Sequence, residues 1–288
     1  MSRREAVVLK TISVSLAGLS YVAPALAGRI ATYLWFTPFP LARSRLPLIP
    51  PGARPITFQS AGLVVNGYET GDGPRTALLV HGWAGSSRHY RPIVTRLAEQ
   101  GYRCVVIDLP AHGIEAGRST DLFQLADAIE IAGNALGKID LVVAHSLGAL
   151  ATGVAMQRTL RTERLVFIAP ALRPQHAFES FAAALRLRPA VARAVTRTME
   201  NRFGEDIWDR IPAGLLGMKV PGLTLVIHDT DDDIVPIEHA KLLSEHWGAG
   251  FVSTRGHGHR GMLVSSEVID HIATLASARA GVGLGIAK

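Results

Sequence analysis

The chain has 288 residues, 48% of them apolar and 19% charged, which is enough apolar material for one sizeable core and too ordinary a composition for a disordered chain or a fibre. Its formal net charge of +6 sits wholly at the N-terminus, where residues 1–54 carry Arg3, Arg4, Lys10, Arg29, Arg43, Arg45 and Arg54 against Glu5 alone; the 23 bases and 23 acids that follow cancel. A neutral body without interleaved basic and aromatic residues gives nucleic acid no electrostatic footprint, and the single cysteine, Cys104 in "CVVIDL", excludes an intrachain disulfide and reads as a small buried hydrophobe.

Residues 1–54 read as a basic, apolar leader helix and a Pro-rich joint, "PFPLARSRLPLIPPGARP", the one good linker candidate in the chain. No charge falls between Thr11 and Gly28. Three readings compete: a helix that contacts a membrane through residues 1–45, with basic flanks suited to anionic lipid; a helix packed on the rest of the protein; and a secretory signal cut near Ala27, after the small-residue triplet Ala25-Leu26-Ala27. Glu5 and Arg29 count against the signal, and the apolar pattern continues through Tyr33, Leu34, Trp35 and Phe36 as if one helix passed the cut. Pro24 and Arg29 make a full span marginal. The membrane contact is the preferred reading, on a cytoplasmic protein; export after cleavage is the alternative.

Residues 55–288 read as one domain. "ITFQSAGLVVNGYETGDG" has the look of an antiparallel hairpin. Six short apolar runs follow: "TALLVHGW", "CVVIDLPAH", "DLVVAHS", "RLVFIAPA", "LTLVIHD" and "FVSTRG". Runs that are apolar on both faces belong in a parallel sheet covered on both sides. Helical spacing links Tyr90, Ile93, Val94 and Leu97, then Leu122, Leu125, Ile129 and Leu136, and finally Val264, Val268, Ile272 and Leu275. The alternation predicts a doubly wound α/β fold. From about Leu172 to Val220 there is no strand, only helical patterns through Phe178, Phe181, Leu185, Val191, Val195 and Met199. This interval reads as a lid over the C-terminal edge of the sheet in preference to helices merely packed on it. Its eight bases against five acids between Arg173 and Lys219 read as a solvated face. The Gly-rich tail "GVGLGIAK" reads as frayed.

The chemistry begins at "AHSLG". Ser146 stands where a strand turns directly into a helix, a geometry that strains the central residue and lifts its side chain above the sheet. The positions two before and two after must be small, and they are Ala144 and Gly148. A serine between small residues is also common in buried α/β crossings, so the motif needs support. "HDTDDDIVP" and "RGHGHRGML" place acids and histidines at two later strand ends, on the edge where α/β sheets bind ligands. A hydroxyl needs a base to lose its proton, and the base needs a carboxylate to fix its tautomer. Asp231, Asp232 and Asp233 compete for the acid, and His257 and His259 for the base.

In order and spacing, "VHGW", "DLPAHG", "AHSLG", "HDTDDDIVP" and "GHGHRGML" together resemble the α/β-hydrolase superfamily of serine hydrolases, over roughly residues 56–279. The resemblance implies an eight-stranded, mostly parallel sheet with a short helical cap inserted after the sixth strand, at about 172–220. "AHSLG" departs from the usual GxSxG by one methyl group, at Ala144. The family's spacing before "xxVP" selects Asp232, and its Gly-His before the last helix selects His259, leaving Asp231 and Asp233 as turn residues and His257 at the rim. The oxyanion hole would be the backbone N–H groups of Trp83 and Leu147, with the Trp83 side chain walling the acyl pocket. His81 reads as a structural hydrogen-bonding residue, and His112 and Asp108 as holding their loop, Asp108 being a distant alternative acid. His145 reads as lining the pocket or sheet edge, and His228 as a satisfied core histidine.

The expected function is a carboxylesterase-like serine hydrolase that cleaves a small hydrophobic ester or thioester through an acyl-enzyme. Alternatives are a non-catalytic binding protein of the same fold, or a triad enzyme for acyl transfer or C–C bond hydrolysis. Haloalkane dehalogenation is disfavoured, because it needs a carboxylate at position 146. No HExxH, Walker or GxGxxG pattern follows any strand, so no metal and no cofactor is expected.

Overall fold

A computed structural model describes residues 3–38, 52–60, 62–113 and 117–278, so most of the Pro-rich joint and the Gly-rich tail lie outside the described residues. In chain order the elements are α1 (Arg3–Val22), α2 (Pro24–Trp35), β1 (Arg54–Ser60), β2 (Leu63–Thr70), β3 (Arg75–Val80), α3 (Arg91–Glu99), β4 (Tyr102–Ile107), α4 (Leu122–Leu136), β5 (Leu141–His145) and α5 (Leu147–Arg158). They continue with β6 (Arg164–Ile168), α6 (Pro174–Ala184), α7 (Pro189–Phe203), α8 (Ile207–Leu216), β7 (Leu223–Asp229), α9 (Ile237–Trp247), β8 (Gly250–Thr254), α10 (Gly258–Gly261) and α11 (Ser266–Ser277). All six apolar runs are strands, and the hairpin is β1–β2.

The eight strands form one sheet in the order β1-β2-β4-β3-β5-β6-β7-β8. The hairpin pairs antiparallel with itself and with β4, and every other pairing is parallel. This is the α/β-hydrolase sheet that the motifs imply. Successive strand residues point to opposite faces, so strands covered on both sides must be apolar at every position. Leu78, Val105 and Val142 pack with Leu125 and Ile129 of α4 on one face, while Leu79, Val106 and Val143 pack with Ile93 and Leu97 of α3 and Ile272 of α11 on the other. Asp121 starts α4 by accepting the N–H groups of Phe123 and Gln124, both at 3.0 Å. The chain leaves β3 toward β4 on one side and β5 on the other, and such a reversal of strand order opens a crevice at the strand ends.

The leader is two helices, where the sequence pattern suggested one. Pro24 bars the α conformation at the residue before it, and Ala23 takes φ −145°, ψ 67°. The pair packs on the domain through α7: Leu16, Ala27 and Ala31 are buried with Leu185, Val191 and Val195. Ser13 donates its hydroxyl to the Leu185 carbonyl at 3.1 Å. Among the described residues no helix is long and apolar enough to cross a membrane.

The α2–α7 contact is tight at Gly28, where a Cβ would stand 2.9 Å from Cβ of Ala194. Gly28→Val should therefore overpack the contact at a cost of about 1–3 kcal/mol. Trypsin cleavage after Arg29, which needs local opening of α2, should accelerate in that variant while the unfolding of the sheet domain in urea moves little. Equal cleavage rates in the two proteins would contradict the packing.

Candidate active site

Ser146 lies between the last residue of β5 and the first of α5 with φ 56° and ψ −125°, a left-handed conformation that a serine adopts only under constraint. Its N–H donates to the Ile168 carbonyl at 2.9 Å, and its own carbonyl accepts from Ala149 and Ala171 at 3.0 and 3.3 Å. A Cβ on Gly148 would overlap the carbonyl oxygen of His81, and one on Gly82 would stand 2.8 Å from Cβ of Ser146. Strand ends and helix therefore meet with no room for side chains. Ala144 is fully buried between its register partners Val80 and Phe167, and one methyl fits there.

His259, in the short helix α10 after β8, places Nε2 at 2.9 Å from Oγ of Ser146 and Nδ1 at 2.7 Å from Oδ2 of Asp232. With Nδ1–H donating to the carboxylate, Nε2 is free to accept the serine proton. Asp232 is the acid brought into contact; Asp231 and Asp233 are not, and Asp231 lies near Arg255, with its carboxylate 3.9 Å from the guanidinium. Oδ1 of Asp232 accepts the N–H groups of Ile234 and Val235, both at 2.9 Å. Burial works against the charged form of this carboxylate, but the hydrogen bonds from His228, His259 and Val235 outweigh it and hold the group well below the ordinary carboxylate range. His257 is outside the contact and bonds instead to Ser265 and Glu267.

Two supporting residues carried no clear sequence signal. Asp229, at the end of β7, is fully buried and accepts from the Thr254 hydroxyl at 2.8 Å and from the N–H groups of Asp231, His257 and Gly258 at 3.0, 3.2 and 3.1 Å. It ties the loop that carries Asp232 to the loop that carries His259. His228, read from sequence as an ordinary core histidine, places Nε2 at 2.9 Å from the Val235 carbonyl and 3.3 Å from Oδ2 of Asp232, so it touches the acid directly. A histidine four residues before the acid was the available hint.

Three other buried histidines hold backbone. His145 donates from Nε2 to the His259 carbonyl at 2.9 Å, with the two rings 4.6 Å apart. Burial, aided by the neighbouring His259, pushes its pKa well below 6.5. His81 donates from Nδ1 to the Gly82 carbonyl and accepts the Leu109 N–H on Nε2, at 2.8 and 3.1 Å. Asp108 accepts the Ser87 N–H at 2.7 Å, and His112 bonds the Pro110 carbonyl at 2.9 Å and meets the Trp83 ring edge-on. Cys104 is buried, and that burial pushes its thiol up to about 12.

Ser146 opens into a cavity of about 380 Å³, lined by Trp83 and Leu147 at the sheet edge, Phe181 and Phe203 of the inserted helices, and Leu34 and Trp35 of the leader. A larger open groove of about 680 Å³ between Met156 and Pro221 contains none of these residues. Leu147 is the first residue of α5, so its N–H has no acceptor within the helix and sits at the positive end of the helix dipole. Among the described residues no group of three or more acids, histidines or cysteines is placed to hold a metal ion.

A strained serine at a strand-to-helix turn, a histidine on its hydroxyl and a carboxylate behind it, all on the C-terminal edge of this sheet, define the hydrolase class of α/β protein. Residues 77–271 match the model of the alpha/beta hydrolase family, and the chain belongs to that family. It is 24% identical over 241 residues to a protein of Mycobacterium phage D29 named "Putative non-heme haloperoxidase", covering 69% of this chain and 86% of that one. Among solved structures it is similar to Est1E from Butyrivibrio proteoclasticus, at 19% identity and a TM-score of 0.59, over 78% of this chain and 99% of that one. It is also similar to a bacterial membrane phospholipase A, at 19% identity and a TM-score of 0.58, over 95% of this chain and 98% of that one. A match over 95% of this chain takes in most of residues 1–54.

The buried histidines make stability depend on pH. Burial lowers His81 to about 4; burial together with nearby His176 and Arg173 lowers His239, whose Nδ1 accepts the Leu172 N–H, to about 4. An unfolded histidine titrates near 6.5, so below that pH the unfolded chain binds the protons and the folded one does not. Stability should be level above about pH 7 and fall as pH drops from about 6.5 toward 4, by on the order of 3 kcal/mol per histidine when complete. The depressed carboxyl of Asp232 adds its own loss only below about pH 4. Urea unfolding at pH 7.5, 6, 5 and 4.5 measures this; a flat profile would refute it.

Proposed function

We propose that this protein is a serine hydrolase that cleaves a carboxylic ester or thioester through an acyl-enzyme on Ser146. The observation that carries the reading is the unbroken chain of contacts from Oγ of Ser146 through His259 to Asp232, opening on an apolar cavity. Ser146 Oγ attacks the acyl carbon as His259 Nε2 takes its proton. The negative charge that develops on the carbonyl oxygen is held by the N–H groups of Leu147 and Trp83, each such donor being worth roughly 10²- to 10³-fold in rate. The C–O or C–S bond then breaks, the leaving group takes the proton from His259, and water repeats the sequence on the acyl-enzyme to release the acid and restore Ser146. Asp232 stays ionised and stabilises the imidazolium; its carboxyl, far below neutral pH, suits that role.

A fluorophosphonate probe should label the wild-type protein and leave Ser146→Ala unlabelled. Turnover of p-nitrophenyl esters should fall by about 10⁴-fold or more in Ser146→Ala and by a similar factor in Asp232→Asn, which would hold the wrong tautomer of His259. A well-folded wild-type protein that no probe labels would refute the hydrolase reading.

The same reading includes a place of work, the surface of an anionic membrane. The large apolar side chains exposed on the described chain are concentrated on the leader: Val7, Val14, Tyr21 and Val22 of α1 and Leu26, Ile30 and Tyr33 of α2, against three elsewhere. Lys10 and Arg29 are exposed among them, and no acid occurs between Glu5 and Glu69. A face both apolar and cationic suits the boundary between headgroups and acyl chains. The protein should float with vesicles containing phosphatidylglycerol, less with phosphatidylcholine alone, and Val14→Glu/Val22→Glu should stay at the bottom of the gradient. Absence of flotation with either vesicle would overturn this placement.

A further inference from the structure

We propose that the leader is part of the acyl-binding site, and that the side chains α1 and α2 place in the cavity set the length of acyl chain the enzyme accepts. The chemical class this selects is a linear, medium-length acyl group. The assignment of the cavity to the acyl group, rather than to the leaving group, rests on the hydrolase reading above.

The cavity that holds Ser146 is lined by Leu9 of α1, by Leu34 and Trp35 of α2, and by Phe36 and Thr37 just beyond. Trp35 and Phe36 are tied to the rest of the protein, and Leu9 packs partly buried beside them. The Trp35 indole N–H reaches Sδ of Met199 at 3.1 Å, and its ring meets Phe178 and Phe181 edge-on at 5.7 and 5.2 Å. The Phe36 carbonyl accepts the Thr120 N–H at 2.8 Å, beside the first turn of α4. Arg202 of α7 lies over the Phe36 ring, 5.1 Å from its centroid, and pairs with Asp121, which caps α4. The end of the leader is thus clasped between the inserted helices and the sheet domain, with its aromatic residues facing the site.

Volume then bounds the ligand. At about 30 Å³ per water-sized group, 380 Å³ holds about a dozen methylene-sized groups. An acetyl group would leave most of this apolar space unfilled, whereas each further methylene buried there strengthens binding by about three- to fourfold. The gain should stop when the chain meets the leader wall, which places the optimum at about 8–12 carbons.

Two measurements test this independently. Binding of dodecanoate to the Ser146→Ala protein, followed by calorimetry, should weaken at least tenfold on adding Leu9→Trp, which fills the part of the cavity α1 lines, and should be unchanged by Ser15→Trp on the exposed side of the same helix. In the active enzyme, Leu9→Trp should lower the ratio of kcat/KM for the dodecanoate over the acetate p-nitrophenyl ester at least tenfold. Leu9→Ala, which cannot clash, should move the optimum toward longer chains. Failure of Ser146→Ala to bind dodecanoate, or equal binding with and without Leu9→Trp, would overturn the proposal. Loss of binding in Leu9→Trp together with a wild-type protein that turns over no ester would leave the leader wall standing and refute the hydrolase reading instead.

Discussion

The site depends on a place where there is no room for side chains. β3 and β5 are neighbours in parallel register, with Val80 opposite Ala144, so the residues that leave these two strands emerge side by side. Gly148 lies against the His81 carbonyl and Gly82 against Cβ of Ser146, and in both cases the obstacle cannot swing aside, being backbone or the serine itself. The chain can turn from β5 into α5 only by taking Ser146 through a left-handed conformation, and hydrogen bonds from its own backbone to β6 and to the segment after β6 hold it there. One constraint thus raises the hydroxyl, puts the start of α5 beneath it and brings the turn at Trp83 beside it. Strain at one residue is an acceptable cost because the packing of two strands and a helix enforces it.

Two buried carboxylates at the end of β7 divide the remaining labour. Asp229 faces backbone and the Thr254 hydroxyl, and joins the loop after β7 to the loop after β8. Asp232, three residues on, meets two backbone N–H groups with one oxygen and two imidazoles with the other. Hydrogen bonding keeps both groups ionised against the burial that opposes it. Burial pushes His145 and His81 toward the neutral form, and each uses a ring N–H to grip a carbonyl. A charge on either of them would compete with the imidazolium that the proposed mechanism forms on His259. The arrangement leaves one carboxylate in contact with the histidine that bonds Ser146.

The parts of this architecture legible in the sequence are those in which local pattern and tertiary environment agree. Strands buried on both faces must be apolar throughout, so five of them stood out as continuous runs; the edge strand β8, with Ser253 exposed, showed less plainly, and the hairpin showed its turn. "AHSLG" was legible because close packing dictates residue size at fixed offsets, and the ends of β7 and β8 because acids and histidines are rare at the close of an apolar run. Asp229 was not legible. Beside Asp231, Asp232 and Asp233 it reads as one more acid in an acidic turn, and only the fold shows that its partners come from a loop 25 to 29 residues on. The contact between His228 and Asp232 was hidden likewise, since an i,i+4 pairing outside a helix has no periodicity to announce it.

The leader shows most clearly where sequence pattern runs out. Apolar residues surround both of its helices, and hydropathy alone cannot say which face meets protein and which meets something else. The fold divides them: Leu16, Ala27 and Ala31 go inward to α7, Leu34 and Trp35 go to the cavity, and Val14, Val22 and Ile30 face outward. A cut after Ala27 would fall within α2, at a side chain fully buried against α7, and would detach Leu9 from the cavity it lines. A segment that is merely an address can be lost without touching the site; this one shares residues with it. Under the proposed membrane contact, lipid would meet the outward side of α1 and α2 while the proposed acyl chain meets the side that lines the cavity, so both would bear on the same pair of helices.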